Sequence, residues 1–115
     1  MLNDSGLLDR TFQALADPTR RGMLARLSRG PASVSDLARP LPMSLPAVLQ
    51  HLQALEASGL VRSAKKGRVR TVSIEPAAMT AAESWFAEQR ALWEANADRL
   101  ETFLAALQNE GENDE

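Results

Sequence analysis

The side chains best equipped for chemistry fall into two groups: Ser44, Gln50, His51 and Gln53 in one stretch, and Lys65, Lys66, Arg68 and Arg70 in the next. Catalysis is the first use to test, and the inventory is against it. The 115 residues include one histidine and neither cysteine nor tyrosine. A single imidazole without partners builds no metal site and no Ser/His/Asp triad, and no glycine-rich phosphate loop is present. The chain is therefore not read as an enzyme, and no pattern in it specifies a metal, a cofactor or a small-molecule effector. Without cysteine, structural disulfides and thiolate zinc or arsenic sites are excluded as well. Recognition remains: a glutamine amide presents a donor beside an acceptor, matching adenine N6 and N7, and clustered cations match phosphate.

The charge pattern supports recognition of a polyanion. Ten of the 13 Lys and Arg lie between Arg20 and Arg70, where only Asp36 and Glu56 oppose them. From Glu75 to Glu115 ten acids face only Arg90 and Arg99. The formal net charge of −2 thus conceals a basic middle and an acidic end. A concentrated positive surface binds a phosphate backbone by releasing its counterions, so double-stranded DNA is the expected partner.

These groups need elements to hold them. Leu7, Leu8, Phe12, Leu15 and Ala16 recur at spacings of three and four, which predicts a first helix over 7–16. Asp17-Pro18 restarts the chain: the carboxylate can cap free amides and the proline needs no amide partner, so a second helix is expected over 18–28 with Met23, Leu24 and Leu27 inward. Ser33-x-x-Asp36 resembles a capping box and opens a short helix over 33–39. Ser44 can cap the next, over 44–58, with Pro46 in the tolerated first turn and Val48, Leu52 and Leu55 as its core stripe. Alternating β-branched residues on either side of Lys65-Lys66-Gly67-Arg68 predict a hairpin over 60–74 with a basic tip. Thr80-x-x-Glu83 reads as a second capping box, giving a helix over 80–108, and 109–115 as a frayed, disordered acidic tail.

One domain is expected at this length, mainly α with a small β-hairpin. Helix, short turn, helix and then a basic hairpin is the layout of a winged helix-turn-helix, whose second helix enters the major groove while the hairpin lies on neighbouring backbone or minor groove. Off the core stripe of the helix over 44–58, Leu45, Ala47, Gln50, His51 and Gln53 are the base-facing candidates. Gln50 suits adenine, and Leu45 or Ala47 a thymine methyl. Ser44 and the helix N-terminal amides, beside Pro46, suit a phosphate. Lys65, Lys66, Arg68 and Arg70 are the backbone contacts of the hairpin. Arg20 and Arg21 are left open between an ion pair inside the fold and DNA.

Phe86, Trp93, Leu100 and Leu107 recur every seven residues with Ala97 and Leu104 between them, a seam like that of a coiled coil. With Trp85 widening the apolar face, more surface is offered than a small domain covers, so a homodimer is expected. The first residues lack the basic region and apolar run of a signal peptide, and no apolar stretch is long enough to span a bilayer. The chain is accordingly expected to be cytoplasmic, with no membrane partner. An alternative reading is a winged-helix interaction module that docks a partner protein through the acidic seam helix and touches nucleic acid weakly or not at all.

Ala16-Asp17-Pro18-Thr19-Arg20-Arg21, Val34-Ser35-Asp36-Leu37-Ala38, Met43 through Leu52, Gly59-Leu60-Val61 and Gly67-Arg68 together resemble the ArsR/SmtB winged-helix transcriptional repressors. The resemblance covers roughly residues 8–108. It implies a homodimer on an inverted-repeat operator, with the helix from Ser44 in the major groove and the hairpin from Lys65 to Arg70 as the wing. It also implies dimerisation through the first and last helices, placing Leu8, Phe12, Trp85, Phe86, Trp93, Ala97, Leu100, Leu104 and Leu107 at the interface. Metal-sensing members carry cysteines around the position of Val34 to Leu37, or Asp and His pairs on the last helix. This chain has neither set, which implies regulation without metal sensing. Leu49 stands where many relatives have a small polar residue, which implies a different sequence preference.

Overall fold

The computed structural model describes the backbone of residues 2–113 and the side chains of residues 6–111. In chain order the elements are α1 (Leu2–Leu15), α2 (Pro18–Leu27), β1 (Ala32–Ser33), α3 (Val34–Ala38), α4 (Leu45–Ala57), β2 (Val61–Lys66), β3 (Val69–Ile74) and α5 (Pro76–Asn113). Contacts divide the chain between Ala82 and Glu83 into two compact units. The first holds every element up to β3 with the opening turns of α5; the second is the remainder of α5. No helix among the described residues is long and apolar enough to cross a membrane.

Side-chain caps set the helix starts in the first unit. Asp17 accepts from the Arg20 amide at 3.0 Å, Ser33 from the Asp36 amide at 3.0 Å, and Ser44 from the Ala47 amide at 3.4 Å. Each occupies one of the free donors that begin a helix. Asp36 does not complete the reciprocal half of a capping box; its carboxylate pairs with Arg39 at 3.0 Å. Helix α4 ends in a Schellman turn, with the Leu60 amide donating to the Leu55 carbonyl and the Gly59 amide to the Glu56 carbonyl. Gly59 has φ +80°, which the turn requires and which a residue without a Cβ adopts freely.

Met23, Leu24 and Leu27 of α2, Leu37 of α3, and Val48, Leu52 and Leu55 of α4 form the core with Leu60, Val61 and Val72. Val48 and Leu55 are fully buried, so α4 is locked along one stripe and only its opposite side is free to meet a ligand. The hairpin turns on two residues, Gly67 and Arg68, since Lys66 pairs with Val69. Gly67 has φ +63° at the first of these positions, the pattern of a type II′ turn whose twist matches the strands it joins.

Four details depart from the sequence expectations. Helix α1 begins at Leu2 rather than residue 7, because an apolar stripe marks the buried face of a helix and not its ends. The hairpin gains a third strand: β1 pairs antiparallel with β3, Ala32 opposite Val72 and Ser33 opposite Thr71. Two residues are too few to show an alternating pattern, so this strand left no signal. Helix α5 starts at Pro76, not at Thr80, whose hydroxyl donates to the Pro76 carbonyl from within the helix. Proline is suited to the first turn because its missing N–H has no partner there to lose. Of the expected tail, 109–113 continue the helix, and 114–115 lie outside the described residues.

Candidate nucleic-acid interface

On α4 the residues off the core stripe divide into two groups. Pro46, Leu49, Gln50 and Gln53 line one cleft of about 450 Å³ together with Leu52 and Glu56 of the same helix and Arg70 of β3. Leu45, 53% exposed, is also outward, while Ala47 is half-buried. His51 goes the other way. Its Nδ1 lies 3.6 Å from an Asp17 carboxylate oxygen and 3.4 Å from the Arg20 guanidinium, and its side chain is 22% exposed. The imidazole is therefore engaged with the start of α2, a direction that the sequence-based placement among base-facing residues did not anticipate.

Arg20 and Arg21 are occupied at the same junction. Arg20 donates from Nε to the Ala14 carbonyl at 2.7 Å and from Nη2 to the Gln13 carbonyl at 2.9 Å; Arg21 donates to the Leu15 carbonyl at 2.6 Å. These carbonyls end α1 and lack partners within it, so both guanidinium groups close the helix and complement the negative end of its dipole. The Asp17 carboxyl is held below its ordinary pKa chiefly by the Arg20 amide it caps; desolvation opposes this as the next-largest effect, and the neighbouring His51 and Arg20 side chains and the Thr19 amide lower it further.

On the hairpin, Lys65, Lys66 and Arg68 are exposed and form no salt bridge among the described residues. Arg62 at its root pairs with Glu75 at 3.4 Å. Arg70 is also engaged: its Nη2 lies 3.2 and 3.3 Å from the two Glu56 oxygens, and its Nε donates to Ser63 Oγ at 2.9 Å. The Ser63 hydroxyl donates in turn to Glu56. Glu56 entered the sequence reading only as an opposing charge. Its signal was that it is the one acid between Asp36 and Glu75.

No group of three or more His, Cys, Asp or Glu side chains among the described residues is placed to hold a metal ion. In the second unit, Leu92, Trp93, Leu100, Phe103 and Leu104 are each more than half exposed, and Ala97 is half-buried. Trp85 and Phe86 pack edge to face with ring centroids 5.3 Å apart. Leu107 is 47% exposed, and Leu8 and Phe12 of α1 are half-buried. Leu92 and Phe103 broaden the apolar surface beyond the heptad positions read from the sequence.

A capped helix-turn-helix followed by a hairpin whose tip is cationic defines a winged helix-turn-helix protein. A helix-turn-helix domain family matches residues 15–64. The HTH-type transcriptional regulator Rv2034 of Mycobacterium tuberculosis is 47% identical over 73 residues, covering 64% of this chain and 68% of that protein. The arsenical resistance operon repressor of Escherichia coli is 37% identical over 84 residues, 68% of this chain and 72% of its own. Among solved structures, the ArsR family transcriptional regulator RHA00566 is 57% identical with a TM-score of 0.75, covering 78% of this chain and 93% of the other. A homodimeric winged helix-turn-helix DNA-binding domain from Mycobacterium bovis is 28% identical with a TM-score of 0.59, covering 76% and 82%. The chain belongs to the ArsR family of winged helix-turn-helix transcriptional regulators, a DNA-binding and non-enzymatic class.

Proposed function

We propose that this regulator acts as a homodimeric repressor without metal sensing, reading an inverted-repeat operator with α4 and gripping the adjacent phosphates with the tip of the hairpin. The observation that carries the reading is the cleft in which Pro46, Leu49, Gln50 and Gln53 of α4 meet Arg70 of β3, so that the outward side of the helix borders the base of a cationic hairpin. Helix α4 carries no lysine or arginine, which leaves phosphate attraction to the hairpin and base discrimination to the amides. Leu45 and Leu49 add apolar surface suited to a thymine methyl. Dimerisation is supported by the exposed apolar side chains of α5 and would set two α4 helices about one DNA turn, ~34–36 Å, apart.

Selection of bound sequences from random duplexes tests binding, symmetry and half-site spacing together. A palindromic consensus with half-sites one turn apart is expected; a protein that recovers no enriched sequence does not have this function. On the selected duplex, Lys65→Ala with Lys66→Ala lowers the slope of log K against log salt by about 1.8, at ~0.9 per lost phosphate contact. Gln50→Ala leaves that slope alone and relaxes preference at one base pair per half-site, worth about 1–3 kcal/mol.

A further inference from the structure

Arg70 is placed differently from the other hairpin cations. In the β2–β3 register Lys65 stands opposite Arg70 and Ser63 opposite Val72, so Arg70 and Lys65 share the face of Val72 and Ile74, which enters the core. Of Lys65, Lys66, Arg68 and Arg70, only Arg70 pairs with an acid among the described residues. Like charges directly across a ladder repel, and here Glu56 of α4 offsets one of them. Its half-buried carboxylate accepts from Arg70 and from Ser63, and Ser63 also accepts from Arg70. One side chain from each of α4, β2 and β3 thus closes a ring. The chain itself joins helix to hairpin at the Gly59 turn, and Val61 and Val72 in the core with β1 on β3 hold the root of the hairpin. The ring is a non-covalent tie nearer its tip.

We propose that Arg70 is a positioning residue, a strut that fixes the pitch of the hairpin against α4, and that phosphate attraction falls to Lys65, Lys66 and Arg68. This rests on the DNA-binding reading above and assigns the residues within it. The ring suits arginine in particular: a planar fork reaches the carboxylate with one nitrogen and the hydroxyl with another, whereas an ammonium group offers a single point charge. It also explains an acid beside a surface that meets phosphates. Glu56 is neutralised by the strut and contributes no free negative charge there.

The test measures the salt dependence of binding to a labelled random-sequence duplex pool, alongside arginine Nε–H exchange by NMR in the free protein. Arg70→Ala is expected to weaken binding two- to fivefold, the scale of one partly exposed ion pair, while leaving the salt slope at the parent value. Glu56→Gln weakens binding to a similar degree, Arg70→Lys does not restore it, and Glu56→Gln added to Arg70→Ala causes no further loss. In the free protein the Arg70 Nε–H exchanges more slowly than that of Arg68, and Glu56→Gln removes the difference. A slope reduced by about 0.9 in Arg70→Ala, or tighter and more salt-dependent binding by Glu56→Gln, would make Arg70 a phosphate contact and overturn the assignment. Equal exchange at Arg70 and Arg68 overturns the strut itself. If the parent binds no duplex, the functional reading fails on its own, and the exchange measurement still decides the strut.

Discussion

Arg20 joins three pieces of the first unit: it ends α1 by donating to the Gln13 and Ala14 carbonyls, sits in the first turn of α2, and touches His51 of α4. Arg20→Ala is expected to lower stability by about 1–2 kcal/mol, the worth of charge-assisted bonds to carbonyls that have no helical partner. It should leave the salt slope of DNA binding unchanged; urea unfolding and a binding titration check the two halves. Asp17 adds a pH dependence. Its folded pKa is depressed, so its contribution is complete above the ordinary carboxylate value and is lost as pH falls through the lower, folded value. Asn caps a helix about as well as Asp but does not titrate. Urea midpoints from pH 7 down to 2 should therefore fall less steeply for Asp17→Asn than for the parent, and parallel curves would remove Asp17 from the acid response. The cap itself was legible, because Asp-Pro is a helix-start signal in any context. The direction of His51 was not: two sides of α4 lie off its core stripe, and only the packing of α1 and α2 decides which of them reaches solvent.

Two glycines separate backbone demand from helix propensity at the level of elements. Gly59 ends α4 with φ +80°, and an added Cβ would meet Ala78 and Leu7 atoms only at 3.8 Å, an ordinary contact. The cost of Gly59→Ala is thus that of the left-handed backbone, about 1–2 kcal/mol. Gly22 is exposed inside α2 with nothing within 4 Å of its Cβ position. Gly22→Ala is therefore expected to stabilise by about 0.5–1 kcal/mol, with opposite shifts in Tm for the two variants of roughly 4–8 °C per kcal/mol in a unit of this size. Shifts of the same sign would contradict the turn geometry. The caps, the Gly59 stop and the Gly67 turn could be read from the chain because each is a local demand met by one residue type. β1 could not, since its two residues are strand only by pairing with β3. Thr80-x-x-Glu83 misled for a related reason: it has the composition of a box, but Pro76 had already opened the helix. Arg70 was partly legible, because period-two alternation puts it on the inner face with Val72 and Ile74, yet its partner lies 14 positions back on another element.

At the scale of the whole molecule the two halves of the sequence divide the labour. The basic stretch folds around one core and leaves Lys65, Lys66 and Arg68 uncovered, while the acidic stretch is a helix whose 38 residues extend for about 57 Å at 1.5 Å per residue. A segment that combines ten acids with this many exposed apolar side chains gains stability chiefly by burying the apolar ones against another chain, since charge keeps it from nonspecific collapse and from DNA. Leu100 and Leu104 are adjacent on that helix and more than half exposed, so replacing both by Glu removes apolar surface without opening a cavity. The parent is expected to run in solution at twice the 12.5 kDa mass of one chain, and the Leu100→Glu, Leu104→Glu variant at a single chain mass with its helical circular dichroism intact. Binding to an inverted-repeat duplex should then fall to the strength of one half-site, because the gain from tethering two readers disappears with the tether. Light scattering at micromolar concentration decides the matter: a parent of 12.5 kDa leaves the apolar seam to some other partner and the inverted-repeat operator without its symmetry.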